Sequence, residues 1–407
     1  MRRVIPISLI WLFGLGGLGV FFPYFSLYLR ENGGLSGSQV GIVAAMLPLV
    51  GIAAQPFWGN LADRSGLRAR VLVFLAFGAA FGYAALYVAR GFWELLFATA
   101  GLAFFSTALL PTYVSVTLGV ARDRSRHSFG LMRVWGTVGF LILVVSFPAG
   151  LDAVQAARGL SPVPGGPSEP GLELMFPITG AFVVLAGLIA LALPRGGALS
   201  LRAPRGDWRR LVRHGPFVRL LLFVLAAYFC LQGPMVLFPV YVRSLGGNID
   251  SVSRMWILML LVEIPLIALS GASLARFGAR GLLAIGVLAG GLRWAVCGFS
   301  DDMRWIYLVQ ILHGVVVAGL VIGAPLYVEA AIPERLRSTG QGVLAMIGVG
   351  VGGIASNVTA GWLLEHVGPD APYVAGGIGA LALGALLPLI LPPASRPAPA
   401  DGEETIG

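Results

Sequence analysis

VGIVAAMLPLVGIAAQPFW, GNLADRSGLR and VLVFLAFGAAFGYAALYVA occupy Val40–Trp58, Gly59–Arg68 and Val71–Ala89. Each outer run is apolar over about twenty residues, the length of one bilayer crossing. The middle segment is short, polar and turn-forming. Neither apolar run alternates with a period of two, so both read as helices rather than barrel strands. In lipid every backbone N–H and C=O must be paired internally, which a helix achieves within one segment.

The pattern repeats along the chain. Further runs lie near Val4–Leu29, Phe92–Val120, Phe129–Leu151, Leu174–Leu193, Phe217–Val242, Val252–Ala275, Gly281–Phe299, Trp305–Ala331, Gly342–Leu364 and Tyr373–Leu391. With the two quoted runs this predicts an all-α integral membrane protein of twelve spans. Composition agrees: 57% of the 407 residues are hydrophobic and 12% charged, about half the charged fraction of a soluble domain. Arg2-Arg3 followed by an apolar stretch resembles a signal peptide, but the stretch is long and has no small-residue cleavage site, so it is read as the first span.

The formal charge is +9, and every basic residue other than histidine is arginine. The arginines sit in short connections between apolar runs, so membrane orientation explains them better than nucleic acid does. One set of alternate connections holds Arg2, Arg3, Arg64, Arg68, Arg70, Arg122, Arg124, Arg126, the Arg195–Arg213 stretch, Arg276, Arg280, Arg335 and Arg337. The opposite set is poorer and richer in acids. The arginine-rich side is expected to be cytoplasmic, with both termini inside and the chain in the plasma membrane. Cys230 and Cys297 lie within apolar runs and read as buried small hydrophobes without a disulfide framework. No metal-ligand set, nucleophile–base set or cofactor motif is found, so neither an enzyme nor a cofactor is expected. The Pro/Gly-rich stretch Pro162–Gly171 is expected to be a mobile external loop.

The basic stretch at 195–215 divides the chain into halves of six spans, 1–194 and 216–393, with a tail at 394–407. The halves echo one another. Tyr28-x-Arg30 with Gly33-Gly34 recurs as Tyr241-x-Arg243 with Gly246-Gly247. Gly59-x-Leu61-Ala62-Asp63-Arg64-x-Gly66-x-Arg68 recurs as Gly271-x-x-Leu274-Ala275-Arg276-x-Gly278-x-Arg280, and Pro111-x-Tyr113 as Pro325-x-Tyr327. Two parallel halves of six spans, with a site between them near the midplane, are the repeat pattern of major facilitator transporters.

The connection Gly59–Arg68 resembles the signature loop of that superfamily. Gly59 would permit close helix approach, Gly66 a tight turn, and Asp63 a contact with a helix N-terminus or an arginine. Together with Arg64 and Arg68 these residues form a candidate conformational latch. The second copy has Ala275 in place of the acid. A narrower resemblance, to the lactose-permease, phenylpropionate-permease and nucleoside–proton symporter branch, rests on five stretches. They are Phe129-Gly-x-x-Arg133-x-Trp135-Gly136-Thr-Val-Gly139-Phe140, Val262-Glu263, Leu292-Arg293-Trp294, Gln310-Ile-Leu-His313-Gly314 and Pro333-Glu-Arg-Leu-Arg337-x-Thr339-Gly-Gln341.

Ionisable residues within spans are costly and therefore functional candidates. Glu263 is the acid placed nearest the midplane, where burial disfavours the charged form and suits reversible protonation. The competing reading is a structural ion pair with an arginine. Arg293 and His313 fall within roughly 10 Å of one another in depth. The resemblance implies that Glu263, Arg293 and His313 form the proton-coupling and substrate group. Arg133 opens the fifth span, where it either faces an anionic substrate group or snorkels to the interface. The permease pattern pairs it with an acid on the fourth span, and here that stretch reads Pro111-Thr-Tyr-Val-Ser115. This departure favours an organic acid over a sugar or nucleoside. Tyr24, Tyr28, Gln55, Gln232 and Asn357 are candidates for lining a cavity.

The expected function is secondary active transport, as proton-coupled symport of a small organic solute by a monomer in a lipid bilayer. The alternatives are a drug or metabolite efflux antiporter and a non-transporting relative that binds a ligand or assembly partner.

Overall fold

The computed structural model describes residues 4–121, 127–162, 167–193, 211, 213–268 and 270–392. The basic connection at 122–126, the linker at 195–210 and the tail at 394–407 lie outside the described residues, as does part of the expected mobile loop, 163–166. No strand occurs among the described residues.

Eleven helices are long and apolar enough to cross a membrane: α1 (Val4–Glu31), α2 (Gly37–Ser65), α3 (Arg68–Val88), α4 (Gly91–Leu118), α5 (Gly130–Arg158), α6 (Leu172–Leu191), α7 (Gly215–Ser244), α9 (Arg276–Phe299), α10 (Met303–Ala331), α11 (Thr339–His366) and α12 (Ala371–Ile390). The twelfth, α8 (Ile249–Ala268), is as long as α12 but carries Asp250, Arg254 and Glu263. Large apolar side chains such as Phe81, Trp93 and Phe97 face outward, at 75%, 66% and 69% exposure. Such a surface would promote aggregation in water and is the expected lipid face of a membrane bundle.

The ends of α2 show how the sequence sets these helices. Ser36 Oγ accepts from the backbone of Gln39, and Gln39 Oε1 accepts from the backbone of Ser36, a reciprocal cap of the N-terminus. The helix then continues past its apolar run through Asp63 and Arg64, and closes where Gly66 turns left-handed at φ 66°. Most of the expected loop is thus helix, and only Gly66 and Leu67 form the turn. The matching turn, at the start of α9, also has a left-handed glycine, Gly278 at φ 65°.

The chain divides into two compact units. The first comprises Met1–Arg202, Met235–Leu258 and Asn357–Pro372. It therefore holds α1–α6 with the halves of α7, α8 and α11 that flank the α7–α8 and α11–α12 connections. Within it, Ser26 Oγ on α1 donates to Val236 O on α7, and Ser253 Oγ on α8 donates to Val144 O on α5, both at 2.6 Å. Small residues let α2 meet α11: a Cβ on Gly37 would lie 2.8 Å from Gly361 O, and one on Gly361 2.8 Å from Gly41 Cα. Glu365 at the end of α11 accepts from Ser36 Oγ at 2.7 Å and from the Ser38 backbone at 2.8 Å, at the N-terminus of α2.

The second unit comprises Ala203–Pro234, Met259–Ser356 and Tyr373–Gly407. Its α10 is irregular. The helix is interrupted at Gln310–Ile311 and passes into a π-helical segment at Val317–Ile322. α11 carries a second such segment, Ala345–Val351. Wide turns of this kind inside α-helices often mark functional sites.

Candidate functional site

Three neighbouring helices of the second unit bring Glu263, Arg293 and His313 together. Arg293 on α9 is 2% exposed. Its Nη1 lies 3.1 Å from His313 Nδ1 on α10. His313 Nε2 lies 3.6 Å from Glu263 Oε2 on α8. A Cβ on Gly314 would come within 2.9 Å of the Glu263 backbone, so α10 meets α8 at the residue after the histidine.

The guanidinium is held on several sides. Nε donates to Gln310 Oε1 at 2.8 Å, Nη2 approaches Met259 Sδ at 3.6 Å, and the cation lies 4.0 Å from the centroid of the Trp294 ring. A cation over an indole face is stabilised by the ring quadrupole, more strongly when water is excluded. Guanidinium groups only donate, so His313 Nδ1 accepts, and the ring carries its proton on Nε2, facing Glu263. The arrangement can present or withdraw a hydrogen bond to a carboxyl group in a low-dielectric setting.

Sequence reasoning found the three charged or titratable members and missed Met259; it quoted Gln310 and Trp294 without assigning either a role. Gln310 is fully buried. The usable signal was its spacing from His313. The backbone N–H groups of Gln310, Ile311 and His313 bond three residues back, to Tyr307, Leu308 and Gln310. In such a tightened turn, side chains three apart eclipse, so Gln310 and His313 face Arg293 together.

The other candidates are placed elsewhere. Arg133 is exposed on α5 in the first unit. In the latch, Arg68 Nη2 meets Asp63 Oδ1 at 2.7 Å, with Asp63 half-exposed. Arg64 is exposed, and a Cβ on Gly59 would find open space. Among the described residues the close helix approach expected at Gly59 is therefore not made, although α2 continues to Ser65. Tyr24 and Tyr28 are buried against Phe147 and Phe176, and Asn357 is buried beside Gly41. Gln55 is exposed and Gln232 partly so. Among the described residues no group of three or more His, Cys, Asp or Glu is placed to hold a metal.

A second polar cluster, unforeseen from the sequence, lies in the first unit. Arg243 at the end of α7 meets Glu169 at 2.5 Å and Glu31, at the end of α1, at 3.4 Å. Ser168 Oγ donates to the Glu31 carboxylate, Asn32 Nδ2 to Glu169 O, and Gln155 Nε2 to Pro170 O. The described end of the loop expected to be mobile is thus docked, with Glu169 8% exposed. Its acid and serine bind neighbours that no local pattern announces.

Comparison with known proteins agrees with this architecture. The chain is 28% identical to the maltose permease of Geobacillus stearothermophilus, over 95% of this chain and 93% of that protein. It is 26% identical to the probable 3-phenylpropionic acid transporter of Escherichia coli K12, over 88% and 90% of the two chains. Multidrug resistance protein MdtH of Cronobacter sakazakii is 25% identical over 92% and 90%. The crystal structure of a point mutant of the nucleoside transporter NupG superposes with a TM-score of 0.83 at 15% identity, covering 96% of this chain and 100% of that one. The model of the MFS_1 like family matches residues 4–375, and the chain belongs to that family of major facilitator transporters, as a multi-pass membrane protein.

Proposed function

We propose that the protein carries a small organic solute in symport with a proton, and that Glu263 takes and releases that proton. The observation that supports this is the line from Arg293 through His313 to Glu263, drawn from three helices, with Arg293 buried and the side chains of His313 and Glu263 14% and 22% exposed. A carboxyl group in such a place changes charge at a cost its neighbours can tune. His313 offers a fixed donor and Arg293 a charge that cannot be lost.

The alternate arginine-rich connections support placing both termini and the 195–215 linker in the cytoplasm of a plasma-membrane protein, with halves at 1–194 and 216–393. The Arg243 cluster and the Glu365 cap then hold the outer ends of α1, α2, α7 and α11 together. Each chain carries both halves and is proposed to act as a monomer.

For the solute, an organic acid is favoured. Arg133 has no acid on α4 between Pro111 and Ser115 to match it, and an arginine recognises a carboxylate through two parallel bonds. The name of one relative specifies an aromatic acid and that of another a sugar. The likeness to MdtH supports a second reading, efflux by antiport.

Accumulation of 3-phenylpropionate or maltose by proteoliposomes under an imposed pH gradient tests the proposal. Symport drives solute toward the alkaline side, and Glu263→Gln abolishes this uphill movement while sparing exchange of solute for solute. Movement toward the acidic side establishes antiport instead. Normal uphill accumulation by Glu263→Gln removes Glu263 from the coupling step.

A further inference from the structure

Gln310 is neutral and carries no expected role of its own, and the coupling group can be traced back to it. The break in α10 leaves the backbone N–H of Gln310 bonded to Tyr307 O. The carbonyl of Ile306, which a regular helix would join to that N–H, is met by the Gln310 side chain: Nε2 donates to Ile306 O at 2.6 Å. A carbonyl can only accept and a guanidinium can only donate. The amide is therefore fixed in one orientation, with Nε2 toward Ile306 and Oε1 toward Arg293. Turned over, it would set N–H against N–H and oxygen against oxygen. Cys297 Sγ lies 3.8 Å from the same Nε2, a weaker acceptor on the same side.

The constraint passes onward. With Nε tied to Gln310 and its face against Trp294, the guanidinium has its plane set, and Nη1 points at His313 Nδ1. The ring must then accept at Nδ1 and donate from Nε2 toward Glu263. Every step from Ile306 to His313 is a forced choice of donor and acceptor.

We propose that Gln310 is a positioning residue for the coupling centre, which through Arg293 holds His313 as its Nε2–H tautomer and so keeps a donor aimed at Glu263. This rests on the coupling role proposed above for Glu263. At 3.6 Å the Nε2···Oε2 approach is beyond hydrogen-bond length; with the carboxyl ionised it is an attraction between the Nε2–H dipole and a charge, and with a proton on the carboxyl it is neutral and weaker. The histidine cannot blunt that difference by exchanging tautomers, because Arg293 blocks Nδ1. The proton on Glu263 is thereby reported to α10 as a change in one contact.

Solid-state nitrogen NMR of protein labelled at histidine and reconstituted in liposomes tests this directly, with His313 assigned by its loss in His313→Asn. The parent is expected to show protonated Nε2 and bare Nδ1. Gln310→Met keeps the side-chain length but offers Arg293 only a weak thioether acceptor and Ile306 O no donor, and is expected to lose the single tautomer, giving a mixture. Gln310→Glu retains an oxygen for Arg293 and is expected to keep it. If Gln310→Met does not fold, Gln310→Asn, one methylene short of Arg293, replaces it with the same expected loss. An Nδ1–H ring in the parent, or an unchanged single tautomer without the Gln310 anchor, overturns the proposal. Both results are obtained without solute. Normal uphill accumulation by Glu263→Gln would instead defeat the coupling reading, whichever tautomer is seen.

Discussion

The turn after α1 and the turn after α7 share a sequence pattern and differ in what their arginines hold. Tyr28-x-Arg30 and Tyr241-x-Arg243 each end a helix, and a glycine with positive φ follows: Gly34 at 64° and Gly246 at 82°. Gly247 N, just after the positive-φ glycine, bonds to Val242 O as in a Schellman cap, whereas Gly33 N bonds to Tyr28 O one residue before the positive-φ glycine, after a right-handed Asn32. Arg30 then caps its own loop, donating to Leu35 O at 2.8 Å. Arg243 reaches outward instead, to Glu31 and Glu169. The other echoes behave likewise. Gly66 and Gly278 share φ near 65° but differ in ψ, 5° against 169°, and Arg68 meets Asp63 whereas Arg280 donates to Pro388 O. Tyr327 donates to Pro392 O, while the Tyr113 hydroxyl is buried beneath Gly14. The repeat preserves a positive-φ glycine at each turn without preserving one backbone conformation. Charge chemistry is placed in one copy at a time.

The largest test of this comparison removes the two arginines separately. Side chains of Arg243, Glu31 and Glu169 are 22%, 17% and 11% exposed. Exposed pairs contribute below about 1 kcal/mol, and breaking a buried one costs about 3–5 kcal/mol. A half-buried triad with two acids on one cation should lose about 2 kcal/mol in Arg243→Gln, near thirtyfold in a local opening equilibrium. Amide exchange in peptides covering 167–171 and 241–247 should rise accordingly. Arg30→Gln removes one hydrogen bond at the protein surface and should change exchange less than about threefold. Equal effects would mean that the two turns are equivalent and that the triad does not hold the ends together.

These differences explain what the sequence could and could not disclose. Spans are legible because a bilayer demands a long apolar run, and the turns are legible because glycine announces positive φ. Glu263, Arg293 and His313 stand out because a charge inside such a run is expensive. Gln310 is neutral and stands out only once α10 tightens to bring it under Arg293. Glu31, Glu169 and Arg243 lie at span ends or in a loop, where charge is ordinary; only folding brings them together. Tyr24, Tyr28 and Asn357 show the converse. Their residue types suit a cavity, and the structure packs the rings of Tyr24 and Tyr28 against Phe147 and Phe176 and the Asn357 backbone beside Gly41. The direction a side chain takes around a helix depends on neighbours that a single run does not specify.

An intermediate effect is expected at the matched glycines. Gly66→Ala forces a side chain into the left-handed helical region, at a cost of about 1–2 kcal/mol. Gly278, at φ 65° and ψ 169°, lies in a region that is essentially glycine's alone, so Gly278→Ala should cost at least as much. Among the described residues neither site has a neighbour within 4 Å of an added Cβ, so backbone strain is the main term. Thermal unfolding in detergent should fall for both variants, and no less for Gly278→Ala. If Gly278→Ala is the milder change, the second turn does not hold this backbone.

The smallest effect on stability belongs to the latch, and it separates backbone from charge most cleanly. Asp63 is 48% exposed and Arg68 18%, so the pair contributes below about 1 kcal/mol to stability. Asp63→Asn should leave thermal unfolding nearly unchanged. Its importance would lie in which conformation the pair favours, because a ligand or contact shifts an equilibrium only through its difference between states. Transport rate should therefore change more than apparent solute affinity. The second copy provides the reciprocal experiment. Position 275 precedes Arg280 by the same interval that separates Asp63 from Arg68, and it carries alanine. Ala275→Asp supplies the missing acid. If the latch depends only on this spacing and the left-handed glycine, Ala275→Asp should partly restore transport lost in Asp63→Asn. If the double variant transports no better than Asp63→Asn, the two turns share a sequence pattern without sharing a function, and the charge is needed in the first copy alone.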